Sequence, residues 1–379
     1  MKVVTCIAPV NIAVIKYWGK RDEDLILPLN DSISGTLSTD HMHAKTTVMA
    51  SESFTEDKIW LNGKEESIEN PRLQNCLKDL REKAKRDGDA ATASLKVHIC
   101  SENNFPTAAG LASSAAGYAC LVFTLAKVFG VEGDVSSVAR RGSGSACRSV
   151  FGGFVRWHQG QMLSGEDSIA TQVVPANHWP EMRILILVVS DARKSTSSTS
   201  GMQRSVETSE LLTHRVKNCV PKRVEAITKA IEQRDFETFA EITMKDSNQF
   251  HAVCLDTFPP AVYLNDVSHA IIRFVHQYNA ACGQKKVAYT FDAGPNACLY
   301  LLEQDVPTVS ALVKQIFPPN PEQQQDFFRG IPIIPSVILP PINEPPQVGK
   351  VRYVIHTKVG EGPSQVDDHL LADTGLPKQ

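Results

Sequence analysis

The sequence predicts an α+β protein of two domains with a cleft between them. The chain has 379 residues, of which 42% are hydrophobic, and it exceeds the size at which a single core stops growing. Strand-like and helix-like segments alternate along it, without a repeat of about 20 to 50 residues and without a heptad run. Solenoids and coiled coils are therefore excluded.

Local patterns predict the individual elements. Runs rich in β-branched and apolar residues predict strands at Val3–Cys6, Lys45–Met49, Lys58–Leu61, Leu95–Ile99, Gly153–Trp157, Ile184–Val189 and Val287–Phe291. Apolar residues at helical spacing predict helices at Pro71–Ala84, Ala115–Val128, Val135–Arg141, Arg223–Gln233 and Asp266–Tyr278.

The domain boundary is predicted where a strongly apolar run gives way to a Ser/Thr-rich one. Ile184–Val189 is followed by Lys194–Ser200, which gives an N-terminal domain of residues 1–190 and a C-terminal domain of residues 191–379. The proline-rich segment 317–346 is expected to be a long surface loop or an ordered extended insertion. The final residues are expected either to fray or to pack back on the N-terminal domain.

Charge and composition restrict the possible partners. The net charge is -3 and the pI is near 6.4, with Lys and Arg scattered, so we expect no nucleic-acid partner and no membrane partner. The N-terminus lacks a secretory signal pattern, and the cytosol is the expected location. Nine cysteines without a C-x-x-C pair predict reduced thiols. His41 and His43 lack neighbours at metal-ligand spacing, so we do not predict a site there.

The most informative motif is the segment 105–117, which reads F-P-T-A-A-G-L-A-S-S-A-A-G. Gly110 permits a turn, and the apolar run that follows predicts a helix beginning near Ser113 and Ser114. The free N–H groups and the dipole of such a helix start favour an anion, so the segment predicts a phosphate site. A tightly packed Ala/Ser helix start is the alternative interpretation.

This loop resembles the phosphate-binding motif of the GHMP small-molecule kinase superfamily, whose general form is P-x-x-x-G-L-x-S-S. The run A-P-V-N-I-A-V-I-K-Y-W-G-K-R at 8–21 narrows the resemblance to the diphosphomevalonate decarboxylases, the mevalonate-pathway branch of that superfamily. Three further blocks agree in order and spacing: G-S-G-S-A-C-R-S at 142–149, S-S-x-x-G-M at 197–202 and T-F-D-A-G-P-N-A at 290–297. Neither a Walker loop nor a protein-kinase glycine loop occurs in the sequence.

The resemblance implies a GHMP kinase fold with a ribosomal S5-like N-terminal domain and a ferredoxin-like C-terminal domain. It also implies ATP-dependent decarboxylation of (R)-5-diphosphomevalonate to isopentenyl diphosphate, with release of ADP, phosphate and CO₂, in isoprenoid and sterol biosynthesis. The expected small-molecule partners are diphosphomevalonate and the co-substrate ATP. Mg²⁺ and a homodimer are also expected, whereas no organic cofactor is needed because the departing phosphate acts as the electron sink.

The resemblance assigns roles to residues at the matching positions. The predicted catalytic residues are Asp292, Arg148, Lys16 and Ser114, and Ser114 is also the predicted metal ligand. The predicted substrate-binding residues are Asn11, Tyr17, Trp18, Gly19, Lys20, Arg72, Ser143, Gly144, Ser145, Ala146, Cys147, Arg148, Ser198 and Thr199. The predicted ATP-binding residues are Pro106, Ala108, Gly110, Leu111, Ala112, Ser113 and Ser114.

Side-chain chemistry suits three of these assignments. Asp292 follows an apolar run and precedes Gly-Pro, so its carboxylate at a strand end can position or deprotonate the 3-hydroxyl; an isolated Asp there would more often form a turn. Lys16 could keep Asp292 ionised or assist phosphate binding, and both roles stay open. The planar fork of Arg148 suits the substrate carboxylate, with a surface salt bridge as the alternative.

Two other functions compete with the decarboxylase. A simple GHMP kinase would share the Ser113-Ser114 loop but retain the phosphorylated product, and Arg148 together with the 8–21 block argues against it. A ligand sensor on a kinase-derived fold would commonly lose the catalytic carboxylate, whereas Asp292 is present.

One block departs from the family pattern. The segment N-D-S-I-S-G-T-L at 30–37 resembles N-S-S-L-S-V-T-L but carries Asp31 and Gly35. We expect Gly35 to weaken the strand. We expect Asp31 to raise the Michaelis constant modestly if its charge faces the cleft.

Overall fold

The computed structural model describes residues 1–105, 113–190 and 196–378. The strands are β1 Lys2–Pro9, β2 Asn11–Ile15, β3 Lys20–Asp22, β4 Leu27–Pro28, β5 Ser32–Thr36, β6 His43–Ser51, β7 Lys58–Leu61, β8 Lys64–Glu66, β9 Lys96–Asn103, β10 Phe154–Trp157, β11 Ala170–Val174, β12 Met182–Val188, β13 Val287–Phe291, β14 Ala297–Leu302, β15 Phe328–Gly330, β16 Tyr353–Lys358 and β17 Ser364–Val366.

The helices lie between these strands. The α-helices are α1 Pro71–Asp87, α2 Ala90–Ser94, α3 Ser113–Val128, α4 Ser136–Gly142, α5 Ser198–Thr208, α6 Glu210–His214, α7 Val220–Gln233, α8 Phe236–Asp256, α9 Asp266–Cys282 and α10 Val306–Ile316. Short 3-10 helices occur at Gly144–Val150, Ala176–His178, Glu303–Asp305 and Pro321–Gln323, and a π-helical turn occurs at Arg215–Cys219.

The described strands form two large sheets, a smaller one and a two-stranded ribbon. The N-terminal half contributes the sheet β11-β10-β5-β2, the ribbon β3-β4 and five strands of the sheet β17-β1-β6-β9-β7-β8, whose edge strand β17 comes from the C-terminal end of the chain. The C-terminal half is built on the sheet β13-β14-β12-β16-β15. Helix α3 packs against β1 and β6, whereas α8 and α9 pack against β13. Each sheet thereby buries an apolar face under helices, as α+β domains require.

The predicted elements are all present, with ends shifted by a few residues. Lys58–Leu61 and Val287–Phe291 match β7 and β13 exactly as predicted, and the five predicted helices correspond to α1, α3, α4, α7 and α9. The sequence patterns missed α8, the 21-residue helix Phe236–Asp256. Its buried face includes Thr243, Asp246 and Ser247 besides apolar residues, so the apolar periodicity is interrupted where the helix is most buried.

Strand β12 bears on the domain boundary. It precedes the predicted boundary at 190/191, yet it pairs with β14 and β16, which follow that boundary. Residues 191–195 lie outside the described residues. The boundary at 190/191 therefore stays a prediction.

The segment 317–346 combines a short strand with an exposed stretch that has no secondary structure, so the choice between a surface loop and an ordered extended insertion stays a prediction. Its strand β15 pairs in parallel with β16, and the Glu344 carboxylate accepts hydrogen bonds from Arg273 and Gln277. The C-terminal residues pack back on the first sheet, because β17 pairs with β1 and His369 hydrogen-bonds to Thr5. No helix within the described ranges has the length and apolarity to cross a membrane.

Strand β5 forms despite its glycine. Gly35 pairs with Ile12 of β2 and Phe154 of β10, and a Cβ atom at Gly35 would lie 2.8 Å from Tyr300 Oη. That hydroxyl donates a hydrogen bond of 2.9 Å to the Ile12 carbonyl oxygen. The Tyr300 side chain therefore fills the space that a side chain at position 35 would occupy. Its packing and hydrogen bond stabilise β5 in place of the β-branched residue of the family pattern.

We predict that Gly35→Ala lowers the free energy of unfolding by about 1–3 kcal/mol, because the added methyl group overpacks against Tyr300. Urea denaturation measures the change. Tyr300→Phe in the same chain should restore part of the loss, since it removes the atom that clashes. Gly117→Ala is the comparison without a steric conflict, because a Cβ there meets nothing within 4 Å, and it should gain about 0.5–1 kcal/mol since Gly117 lies inside α3. A Gly35→Ala variant as stable as Gly117→Ala would contradict the packing argument.

Candidate active site

A polar cleft lies between the two halves of the chain. Its lining residues come from the N-terminal sheets, the 3-10 helix Gly144–Val150, the start of α5 and the end of β13. The described residues that line it are Asn11, Ala13, Lys16, Tyr17, Trp18, Lys20, Ile26, Arg72, Ser113, Ser114, Ser143, Gly144, Ser145, Arg148, Ser198, Thr199, Met202, Phe250, Asp292 and Ala293. Four of these side chains are cationic and one is a carboxylate, so the cleft suits an anionic ligand.

Lys16 and Asp292 meet at the centre of this cleft. Lys16 follows β2 and Asp292 follows β13, and Lys16 Nζ lies 2.6 Å from Asp292 Oδ1. The Lys16 side chain is 3% exposed, whereas that of Asp292 is 31% exposed and faces the cleft. Among the described residues, Lys16 alone hydrogen-bonds to the Asp292 carboxylate. The second carboxylate oxygen is therefore available to a ligand.

The strand end that carries Asp292 is fixed from α8. The backbone N–H of Phe291 donates to Ser247 Oγ at 3.1 Å, and the carbonyl of Phe291 lies 3.3 Å from His251 Nε2. Burial and then the nearby Lys16 charge lower the pKa of His251 to about 3. The imidazole is therefore neutral at physiological pH, and its N–H can donate to the Phe291 carbonyl oxygen.

Arg148 is a buried cation surrounded by neutral oxygens. Its Nε donates to Ser34 Oγ at 2.8 Å and to Asn11 Oδ1 at 3.3 Å, and its Nη1 donates to Ser32 Oγ at 2.5 Å. Burial lowers its pKa, although a guanidinium stays charged in proteins. No carboxylate in the described part of the chain forms a salt bridge with Arg148. A buried cation in this state favours an incoming carboxylate as its partner.

The 142–149 block supplies both lining and support. Ser143, Gly144 and Ser145 line the cleft, and a Cβ atom at Gly144 would lie 2.9 Å from Trp157 Cη2 and 3.0 Å from Tyr17 Cε1. Glycine is therefore required for the close approach of the two rings. The Ser145 carbonyl accepts from Asn11 Nδ2 at 3.1 Å, which fixes the Asn11 amide.

Residues 17–20 likewise include some that can contact a ligand and one that packs against the protein. The Tyr17 hydroxyl is buried without a hydrogen-bond partner among the described residues, and burial raises its pKa. Trp18 borders the cleft, but its indole N–H donates to Ser205 Oγ at 2.8 Å and its ring packs on Phe250. Lys20 Nζ lies 2.5 Å from Glu23 Oε2. Tyr17 and Lys20 therefore have polar groups that suit a ligand, whereas Trp18 serves packing.

Three predicted substrate-binding residues are not among the described lining residues. Ala146 and Cys147 are fully buried, Ala146 in the main core and Cys147 against Val155, Trp157 and Ala170. Burial raises the pKa of the Cys147 thiol to about 12. Gly19 lies in the turn before β3, where its carbonyl accepts from the Leu29 backbone N–H at 3.1 Å. Ala146 and Cys147 therefore support the cleft with side chains that are turned into the core, and Gly19 supports it through its backbone.

The predicted nucleotide side is described in part. Ser113 and Ser114 begin α3 and line the cleft, and Ser114 Oγ lies 3.3 Å from Ser143 Oγ. A second cavity of about 680 Å³ shares both serines and extends over apolar residues that include Ile59, Leu73 and Leu121. The predicted ATP contacts Pro106, Ala108, Gly110, Leu111 and Ala112 lie outside the described residues.

Two further predicted contacts lie at helix starts. Arg72 is in the first turn of α1, and Ser198 with Thr199 is in the first turn of α5, whose N-cap Ser197 accepts from the Ser200 backbone N–H. All three line the cleft. The positive end of the α5 dipole therefore adds to the cationic character of this wall.

Metal ligation and cysteine pairing can be read from the same structure. In the described ranges, no group of three or more His, Cys, Asp and Glu side chains could hold a metal ion. His41 and His43 hydrogen-bond to Thr357 and Thr39 instead. All nine cysteines are free.

Two family models match the chain, and between them they cover most of it. The Diphosphomevalonate decarboxylase-like N-terminal domain matches residues 8–170, and the Mevalonate 5-diphosphate decarboxylase C-terminal domain matches residues 184–366. The chain is 57% identical over 390 residues to a Danio rerio diphosphomevalonate decarboxylase, covering 100% of this chain and 97% of that protein. The chain belongs to the diphosphomevalonate decarboxylase family.

Solved structures of the family share this fold. The 2.3 Å crystal structure of a mevalonate 5-diphosphate decarboxylase superimposes with a TM-score of 0.88 at 44% identity, over 99% of both chains. The structure of MDDEF in complex with MVAPP, AMPPCP and magnesium gives a TM-score of 0.76 at 31% identity, over 97% of this chain and 100% of that one. The predicted two-domain α+β fold of the GHMP kinase type is confirmed.

Several site residues were missed from the sequence. Ser32 and Ser34, which contact Arg148, alternate along β5, and alternate residues of a strand share one face. That signal was available in the family-like block 30–37. Asp246 and Arg215, which contact the Lys16 backbone, carried no comparable local signal.

Asp31, the departure from the family pattern, faces away from the cleft. Its carboxylate pairs with Arg156 and accepts from the Gln159 backbone N–H at 2.6 Å. It is absent from the described cleft lining. The condition under which we expected an effect on the Michaelis constant is therefore not met, because Arg156 balances the charge at the far side of the sheet.

We predict that Asp31→Ser leaves the Michaelis constant for diphosphomevalonate within about twofold and costs about 0.5–1.5 kcal/mol of unfolding free energy, the range of a partly buried hydrogen-bonded pair. Steady-state kinetics and urea denaturation measure the two effects. Arg156→Gln is the matched control, and the double variant should lose little more than either single variant. A Michaelis constant that falls severalfold in Asp31→Ser alone would show that the charge reaches the substrate.

Proposed function

We propose that this protein catalyses the ATP-dependent decarboxylation of (R)-5-diphosphomevalonate to isopentenyl diphosphate, with ADP, phosphate and CO₂ as the other products. One observation carries the proposal beyond family membership: the cleft pairs a partly exposed carboxylate, Asp292, with a buried cation, Arg148, that has no carboxylate partner among the described residues. A reaction that activates a hydroxyl and expels an adjacent carboxylate needs both groups.

The first step is phosphoryl transfer to the tertiary 3-hydroxyl. The bond between the γ-phosphorus and the bridging oxygen of ATP breaks, and a bond from that phosphorus to the hydroxyl oxygen forms. Asp292 positions the hydroxyl and accepts its proton, while Lys16 Nζ at 2.6 Å orients the carboxylate. This sequence of steps turns a poor leaving group into phosphate.

The second step is elimination with loss of CO₂. The bond from C3 to the phosphate oxygen breaks and the electron pair leaves with phosphate. The bond between C2 and the carboxyl carbon then breaks, and its electrons form the new double bond. Arg148 holds the substrate carboxylate until this point, and its hydrogen bonds to Ser32 and Ser34 fix the guanidinium plane.

The second cavity suits the nucleoside end of ATP. It shares Ser113 and Ser114 at the start of α3 with the lining of the cleft, and it presents apolar side chains with a few polar groups. The triphosphate would then pass the α3 N-terminus, where the positive end of the helix dipole stabilises negative charge.

The residues at this junction also fit Mg²⁺. Ser114 would contribute a hydroxyl oxygen beside Ser143, and phosphate oxygens of ATP would complete a set of hard oxygen ligands, since no carboxylate cluster is present within the described ranges. When bound, Mg²⁺ neutralises phosphate charge and aligns the transferred group.

Location and assembly stay predictions. We expect the cytosol, a reducing compartment in which nine free cysteines stay unpaired. We expect a homodimer because of the family resemblance, and sedimentation velocity would test the assembly state.

The decarboxylase and the simple kinase differ in their products. We predict that purified protein given ATP, Mg²⁺ and diphosphomevalonate releases ADP and CO₂ in equal amounts. A coupled ADP assay and trapping of CO₂ from substrate labelled at the carboxyl carbon measure both products in one sample. ADP without CO₂ would favour the kinase, and the absence of both would favour the ligand sensor.

We predict that Asp292→Asn lowers kcat by about 10² to 10⁴-fold, the usual contribution of a general base, while both ligands still bind. Steady-state kinetics and calorimetric titration of ATP and diphosphomevalonate measure the two properties. Asp305→Asn is the matched control, because Asp305 pairs with Lys286 outside the cleft. Normal turnover by the Asp292 variant would rule out this mechanism.

A further inference from the structure

Two fully buried charges lie behind the cleft, in the C-terminal half of the chain. Asp246 is in the middle of α8, Arg215 begins the π-helical turn, and both side chains are 0% exposed. Arg215 Nη1 donates to Asp246 Oδ1 at 2.8 Å and Nη2 donates to Oδ2 at 2.9 Å, so the pair is bidentate. Burial by itself would raise the pKa of Asp246, but the adjacent Arg215 charge and hydrogen bonds lower it, so the carboxylate is ionised.

This ion pair contacts the backbone of Lys16. The backbone N–H of Lys16 donates to Asp246 Oδ2 at 2.8 Å, and the carbonyl of Lys16 accepts from Arg215 Nη2 at 3.1 Å. Asn30 Nδ2 donates to the same carbonyl oxygen at 3.1 Å. Both polar groups of the Lys16 main chain are therefore held by side chains.

The need for such a clamp follows from the position of Lys16. It lies just past the end of β2, an edge strand of the sheet β11-β10-β5-β2, whose register is irregular between Ala13 and Ile15. Sheet pairing therefore does not fix the Lys16 main chain. The side-chain partner of Lys16, in contrast, is at the end of β13, against which α8 packs.

Helix α8 thus holds both ends of the contact. Through Asp246 it holds the Lys16 backbone, and through Ser247 Oγ it holds the Phe291 N–H beside Asp292. The Lys16 main chain contacts α8, α8 contacts the strand end that carries Asp292, and Asp292 contacts Lys16 Nζ. A shift of α8 would consequently move both partners together.

We propose that Asp246 and Arg215 are positioning residues, which act through the Lys16 backbone to set the Lys16 side chain against Asp292. The inference rests on the proposed function, in which Lys16 and Asp292 activate the substrate hydroxyl. It assigns to a buried ion pair a role in the reaction besides its contribution to packing, and it excludes direct contact of either residue with the substrate.

A double-mutant cycle tests this role. Asp246→Asn keeps the size of the side chain but cannot accept from Arg215 and Lys16 with two charged oxygens. We expect it to lower kcat by about 10 to 100-fold, as small misplacements of reacting groups do, with KM for both substrates within about threefold. In a Lys16→Met background the same change should lower kcat less than twofold further, because its effect passes through Lys16. Equal fractional losses in the two backgrounds would overturn the proposal.

Arg223→Gln is the matched control. Arg223 also pairs with Asp246, at 3.0 Å, and it is 20% exposed, but it does not contact Lys16. We expect it to lower the thermal midpoint while leaving kcat within about threefold. A loss of kcat equal to that of Asp246→Asn would show that the effect on turnover does not depend on contact with the Lys16 backbone, which would also overturn the proposal.

Two further measurements keep the test decisive. If Asp246→Asn does not fold, Asn30→Ala removes one hydrogen bond to the Lys16 carbonyl while leaving the ion pair, and its loss of kcat should likewise vanish in the Lys16→Met background. A crystal structure of Asp246→Asn reports the distance from Lys16 Nζ to Asp292 Oδ1 without requiring turnover. An unchanged 2.6 Å contact would overturn the positioning role, whereas a wild-type protein that releases no CO₂ would overturn the proposed function instead.

Discussion

The contact between Lys16 and Asp292 is the constraint on which the rest of the cleft depends. It joins the end of β2 in the N-terminal half to the end of β13 in the C-terminal half, so the two walls meet at one ion pair. A lysine that is 3% exposed cannot stay charged at low cost without a partner, and leaving either charge unpaired would cost several kcal/mol. The ionic contact therefore joins the halves within the lining of the cleft, together with the hydrogen bonds from Trp18 to Ser205 and from Tyr300 to Ile12.

The side chains that line the cleft around this contact include more cationic groups than carboxylates. Lys16 is paired with Asp292 and Lys20 with Glu23, whereas no salt bridge to Arg72 or Arg148 occurs in the described part of the chain. Stability alone would not favour a buried guanidinium whose partners are hydroxyl and amide oxygens and the Trp157 ring, without a carboxylate among the described residues. The unfavourable burial of the Arg148 charge would be relieved by a bound carboxylate of the proposed substrate. The same reasoning applies to the buried Tyr17 hydroxyl, which has no partner within the described residues.

Much of the fold and the motif residues of the site could be predicted from the sequence. Periodicity placed β7, β13 and five helices because their apolar faces are regular. The 8–21, 142–149 and 290–297 blocks placed Lys16, Arg148 and Asp292, which the structure brings to one cleft. The same blocks also included Ala146 and Cys147, whose side chains are turned into the core. A contiguous motif does not tell which of its members face the ligand, because that depends on the 3-10 turn that the block adopts.

The supporting residues could not be predicted, for a physical reason. Asp246 stands in K-D-S-N-Q within α8, a run that is typical of a solvated helix surface, and its burial arises only because Arg215, some thirty positions earlier, folds over it. A charged residue is stable in the core only when its partner of opposite charge is buried beside it. The sequence around one partner contains no pattern that indicates where the other partner lies. Motifs therefore identify candidate ligand-binding groups, whereas the geometry of those groups depends on residues that look ordinary in sequence. In this protein α8 provides that geometry, because it holds the backbone of Lys16 and the strand end that carries Asp292.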